Sequence, residues 1–223
     1  MDESLKKILQ GNSSIWCARE SVKKQSDTQT TGFAVLDEIL PTGGWPSNAL
    51  VEVLLPRWGI GELQLLLPAL VAVSQQAKWI SWIAPPFIPY APALSHAGVD
   101  LEQLIVIPGK EIGHIGQTDA ESLWAMEKIL RNHSCGIAMS WPSKINDKSM
   151  RRLQIAAEEG GSLGFIFRNH QVHSSPAALR ISLSMINHQL QVALLKARGA
   201  SRYSSVLIDL PVIDLSAIHI PVI

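Results

Sequence analysis

ALVEVLLPRWGIGELQLLLPAL, residues 49–70, is the stretch that decides the fold. ALVEVLL (49–55) is short and apolar, and it reads as a buried strand. Pro56, Gly59 and Gly61 punctuate the residues that follow, which marks a turn. From Glu62 to Ala77 the spacing is helical and almost no polar face is left, so this helix should lie deep against a sheet. Strand, glycine turn and buried helix together make the first half of a βαβ unit.

The alternation continues downstream. KWISWIA (78–84) is a strand stopped by Pro85-Pro86, Tyr90–Ala97 is a short helix or turn, and QLIVIP (103–108) is a strand. Thr118 with Glu121 three residues on forms a capping box, and the helix it starts carries Leu123, Met126, Ile129 and Leu130 on one side. CGIAMSW (135–141) and SLGFIF (162–167) read as strands around a helix at Asp147–Glu159, closed by Gly160-Gly161. Strands alternating with helices imply right-handed crossovers and a mostly parallel sheet. ALRISLSMI (178–186) and QLQVALLKA (189–197) alternate apolar and polar residues about Asn187-His188, which predicts a C-terminal β-hairpin.

Upstream, a short helix through Phe33, Leu36 and Ile39 should end before the Gly43-Gly44 turn. The expected organisation is an N-terminal helix and polar linker over 1–30, a core over 31–197, and a loop and apolar tail over 198–223. The stretch VLIDLPVIDLSAIHIPVI (206–223) is punctuated by prolines and cannot be a central strand throughout, so it packs on its own domain or on a partner.

Composition bounds the function. The chain has 223 residues, 47% hydrophobic and 17% charged, which suits one globular domain with a full core. A formal net charge of +0 announces no nucleic-acid or membrane partner. Cys17 and Cys135 form no C-x-x-C unit, which argues against a disulfide framework or zinc site and fits a reducing cytoplasm. The first ten residues have no apolar signal-peptide core, and no run approaches the ~20 apolar residues of a membrane span. Of seven tryptophans, most are expected in the core, with some left to line a partner surface.

The turn after the first strand occupies the position of a phosphate loop. That motif, G-x-x-x-x-G-K-[ST], cradles phosphates with backbone N–H groups, neutralises them with Lys and holds Mg²⁺ with a hydroxyl. Here Pro56 replaces the first glycine, Gly61 keeps the second, Glu62 stands at the Lys position and Leu63 at the hydroxyl position. Two unit charges ~4 Å apart interact by roughly 4 kcal/mol at an effective dielectric near 20, so Lys→Glu turns attraction into repulsion. Arg57 lies on the wrong side of the turn to offset this fully. Taken alone, the segment reads equally as a strand–helix turn with glycines at Gly59 and Gly61.

Residues further out carry a resemblance. Thr31-Gly32, Leu36-Asp37, Gly43-Gly44-Trp45-Pro46 and Val51-Glu52 resemble, in order and spacing, the lead-in to the ATPase core of the RecA/RadA recombinases, as AGVDLEQLIVIP (97–108) resembles a later RecA segment. The resemblance implies a RecA-like P-loop-type α/β core, mostly parallel and flanked by helices. It places the family's catalytic Glu near Pro85 and its Mg²⁺-binding Asp near Ser140, so neither carboxylate is present. Four losses together imply no ATPase, no cofactor and no catalytic residue.

GIGELQLLLPAL (59–70), WISWIAPPFIPYAPALSHAGVD (79–100), RRLQIAAEEGGSLGFIF (151–167), SPAALRISL (175–183) and LLKARG (194–199) resemble the ImuA family of accessory proteins in bacterial translesion synthesis. That family implies a damage-induced cytoplasmic protein acting with an ImuB-type Y-family polymerase homologue, with RecA and with the DnaE2 polymerase. LLLPAL, the Trp-rich second strand and EGGSLGFIF also resemble the SulA inhibitors of the division protein FtsZ. Those lack the lead-in at 31–46 and the long end after 190, which favours ImuA.

The remaining candidates are interaction residues. Arg57-Trp58 suits an interface anchor or a Trp packed on its own turn. Arg151, Arg152, Lys196, Arg198 and Arg202 suit a basic patch facing DNA or an acidic partner, or simply a solvated face. His170-x-x-His173 lacks a third ligand and is not expected to hold a metal. A homo-oligomer is left open.

Overall fold

The computed structural model describes residues 28–109, 118–169, 175–197 and 204–211. Helix α1 (Ala34–Ile39) leads to β1 (Ala49–Leu54) and α2 (Glu62–Ser74), followed by β2 (Trp79–Ile83) and α3 (Ala91–His96). Then come β3 (Leu104–Ile107), α4 (Asp119–Leu130), β4 (Cys135–Ser140), α5 (Asp147–Gly160) and β5 (Leu163–Arg168). Strands β6 (Leu179–Ile186), β7 (Gln189–Ala197) and β8 (Ser205–Ile208) close the described chain.

All eight strands form one sheet in the order β3-β2-β4-β5-β1-β6-β7-β8. The first six in that order run parallel, and β6, β7 and β8 are antiparallel. The α/β class, the flanking helices and the hairpin are therefore as the sequence implies. Asn187 and His188 both have positive φ, 48° and 67°, as a two-residue type I′ hairpin turn requires. Thr118 Oγ1 accepts from the Glu121 N–H, and the Glu121 carboxylate accepts from the Thr118 N–H, completing the expected capping box.

Two places differ from the sequence reading. Helix α2 ends at Ser74, because Ala77 takes a left-handed conformation at φ 55° that no helix can continue through. Strand β8 lies where only loop and tail were expected. Val206 and Ile208 alternate onto the core face of the sheet, and the strand pairs with β7 through Leu190↔Ile208 and Val192↔Val206.

The two sheet faces bury separate clusters. Val51, Val53, Trp82, Met139, Phe165 and Ile181 face α1 and α2 on one side. Leu50, Ile83, Ala138 and Ile166 face α4 and α5 on the other. Each fully buried aliphatic contributes roughly 1.5–3 kcal/mol. Within the second face sits a buried charge row. Glu52, fully buried, lies 2.9 Å from Arg168 Nη1 on β5 and 2.9 Å from Arg180 Nε on β6, so it bridges the three central strands. Gln154 of α5 adds a polar clasp, its Oε1 accepting from the Leu50 and Ala178 N–H groups.

Candidate functional site at the strand ends

The turn after β1 is held by two left-handed glycines, Gly59 at φ 78° and Gly61 at φ 111°. They let the chain curl back so that Glu62, at the start of α2, folds its carboxylate into the turn. Glu62 Oε1 accepts from the Gly59 N–H at 2.8 Å, and Oε2 accepts from the Ile60 N–H at 2.9 Å. The carboxylate is buried, at 5% exposure, beside the positive end of the helix. Amides that an anion could otherwise bind are thus occupied by the chain's own anion.

The outer side of the turn is also covered. Leu210, just after β8, rests on Gly61 so closely that a Cβ there would collide with its side chain. Gln64 Nε2 donates to the Pro211 carbonyl at 3.4 Å. Leu63 is half-buried against the core and Pro56 is exposed.

Beside this turn, at the C-terminal ends of β1, β2 and β4, lies a groove of about 230 Å³. Open α/β sheets receive ligands at this end. Trp82 and Trp141 form part of its lining, with Leu63 and Leu67 from α2. The loop Pro85-Pro86-Phe87-Ile88-Pro89-Tyr90 contributes the rest of the apolar wall, and Phe87 and Ile88 are 68% and 74% exposed. The floor is rigid. Trp141 stacks on Phe167 at 4.8 Å and meets Trp82 at 5.9 Å, while Phe165 continues the row to Trp45 at 5.3 Å. Prolines and exposed apolar side chains thus form its wall over a stacked aromatic floor, and exposed apolar patches tend to mark interaction surfaces.

Of the expected interaction residues, the described ones sit on the turn after β1, on α5 and on β7. Arg57 is exposed, and Trp58 is half-buried against the main core. Arg152 is engaged by Glu127, which also holds Arg131, and Arg131 reaches Glu159, so these charges tie α4 to α5. Arg151 is exposed on α5. Lys196 Nζ donates to the Ser175 carbonyl at 2.6 Å. Arg198, Arg202, His170, His173 and Cys17 lie outside the described residues. Among the described residues no cluster of three His, Cys, Asp or Glu could hold a metal, and no helix is long and apolar enough to cross a membrane. Pro85 lines the groove, and Ser140 is fully buried at the end of β4.

Of the described tryptophans, Trp45, Trp82 and Trp141 are buried, and Trp79 and Trp124 are exposed. Sequence reasoning missed the groove wall. Its signal was present in PPFIPY, where prolines keep apolar residues out of regular structure and hence out of a layered core. The Glu62 contact was missed because the sequence shows which residue stands at the turn, not that its carboxylate folds back onto the Gly59 and Ile60 amides.

The sequence profile of the family described as Cell division inhibitor SulA matches residues 59–164. Cell division inhibitor SulA of Serratia proteamaculans is 26% identical over 160 residues, 70% of this chain and 91% of the relative. That of Serratia marcescens is 25% identical over 126 residues, 55% of this chain and 71% of the relative. That of Photorhabdus laumondii is 28% identical over 109 residues, 49% and 58% of the two chains. These similarities support a relationship to the SulA superfamily; they do not extend to the ImuA assignment.

Proposed function

We propose that the chain is a non-catalytic, SulA-like binding protein that restrains cell division by docking its strand-end groove on the division protein FtsZ. One observation carries this. Every groove-lining residue, from Gly59 through Trp141, falls inside the stretch 59–164 that resembles the division inhibitors. The turn geometry supports a non-enzymatic role, since Glu62 and Leu210 fill both sides of the position where a phosphate loop would act. Overproduction in a bacterial host lacking RecA tests the reading. The expected result is filamentous cells without DNA damage, and normal length with the Phe87→Asp/Ile88→Asp variant. Normal division with the unaltered chain at the same protein level overturns it.

A second reading, translesion accessory protein of the ImuA type, is favoured by a different observation. The lead-in at 31–46 and strands β6–β8 lie outside the matched stretch, yet both are integral to the domain. Trp45 is fully buried against Phe165, and Asp37 accepts from the Thr31 N–H and the Thr30 hydroxyl. On this reading the partners are the ImuB-type polymerase homologue, RecA and DnaE2, with DNA contact through the basic patch of Arg151, Arg152, Lys196, Arg198 and Arg202. Deletion should then lower damage-induced mutation while overproduction leaves division normal.

A further inference from the structure

We propose that the strand-end groove takes an α-helix of the partner, packed across α2 with an apolar stripe inward and a carboxylate facing Arg57. This rests on the reading of the groove as a protein-binding surface and names the element that docks there. The backbone around the groove decides against an extended segment. A docking strand needs a row of unpaired N–H and C=O groups at a sheet edge. β1, β2 and β4, whose ends form the groove, each have a strand on both sides, and the sheet ends elsewhere, at β3 and β8. The Gly59 and Ile60 amides are taken by the Glu62 carboxylate, and Pro85, Pro86 and Pro89 in the wall have no N–H to give. A helix asks for none of these groups, because its own backbone is bonded within.

The side chains offer what a helix needs. Leu63 and Leu67 lie one turn apart on α2 and are both half-buried, so they form an i, i+4 ridge of the kind that packs against a second helix. Ala93 of α3 and the exposed Phe87 and Ile88 complete the trough. Its volume of about 230 Å³ lies below the roughly 300–1,000 Å³ of a small-molecule site, so it holds anchoring side chains and not a whole ligand. Charge fixes the rest of the partner's chemistry. Glu62 is the one charged residue of the lining, and both its oxygens are engaged. Arg57, on the same turn, is exposed, so the turn presents a cation. An Asp or Glu flanking the helix stripe complements it.

The test titrates the full chain into fluorescein-labelled peptides and follows anisotropy. One peptide of about sixteen residues is Ala-rich, with Leu at i, i+4 and i+7 and a Glu beside the stripe, long enough to be helical. A second has the same composition with its leucines scattered around the helix. A third is an extended Val/Thr sequence of equal charge. The expected result is saturable binding of the first with a Kd below about 1 mM, at least tenfold tighter than the other two. Phe87→Asp/Ile88→Asp should weaken it at least fivefold at an unchanged unfolding midpoint. Arg57→Glu should weaken it about threefold, as an exposed ion pair allows, and Lys in place of the peptide's Glu should restore the loss. Equal or tighter binding of the scattered or extended peptide, no saturation, indifference to either substitution, or no restoration by the charge swap overturns the proposal. No division protein enters the assay, so failure of this inference and failure of the functional reading are told apart.

Discussion

Replacing Glu62 by Ala removes the one group that closes the turn after β1 from inside. The carboxylate accepts two backbone hydrogen bonds, at 2.8 and 2.9 Å. Hydrogen bonds to a charged group contribute roughly 1.5–3 kcal/mol each. Its place at the start of α2 adds about 0.3–1 kcal/mol from the helix dipole. Part of this is returned, because Ala need not be stripped of water and the Gly59 amide, on an exposed residue, can turn to solvent. The Ile60 amide, on a buried residue, is harder to satisfy. A net loss of about 2–4 kcal/mol follows, which for a chain of this size lowers Tm by roughly 5–15 °C. Urea unfolding followed by tryptophan emission should show a lower midpoint at an unchanged slope, with Glu62→Gln intermediate because it keeps one acceptor. An Ala variant within about 0.5 kcal/mol of the parent would refute the claim that this carboxylate holds the turn.

Three further outcomes follow from the same geometry. Glu52→Ala should cost about 3–5 kcal/mol, because Arg168 and Arg180 stay buried without the carboxylate between them, and denaturant titration measures it. Gly61→Ala should cost about 2–4 kcal/mol, since it pays for a left-handed backbone and for displacing Leu210, whereas Gly59→Ala meets open space and should cost only ~1–2 kcal/mol; equal costs would contradict the packing described. Burial pushes the Cys135 thiol from 9.0 up to about 11, against the opposing effects of Ser162 and Lys78. Between those values the unfolded chain gives up a proton that the folded chain keeps, so stability falls as pH rises, by on the order of 3 kcal/mol at most. Cys135→Ala should lack that part of the decline, and superimposable pH profiles would argue against it.

Much of the framework was legible in the sequence because it is local. The capping box at Thr118, the Gly161 helix end and the Asn187-His188 turn each rest on chemistry within a few residues. β8 was not legible, because four residues after a loop carry little period and gain their place only from β7. The Glu52 row was hidden for a related reason: its partners lie 116 and 128 positions away, on strands whose adjacency depends on the sheet order. The turn after β1 was half legible. Gly59 and Gly61 mark it in the sequence, but only the fold brings Leu210 onto Gly61.

The proposed role requires the groove of this chain to bind a division protein. The most direct measurement adds the purified full chain to purified FtsZ with GTP and follows polymer formation by light scattering. The expected result is concentration-dependent suppression by the unaltered chain, and at least a tenfold weaker effect from Phe87→Asp/Ile88→Asp with unchanged stability. No suppression at equimolar protein, or equal suppression by the groove variant, would contradict it.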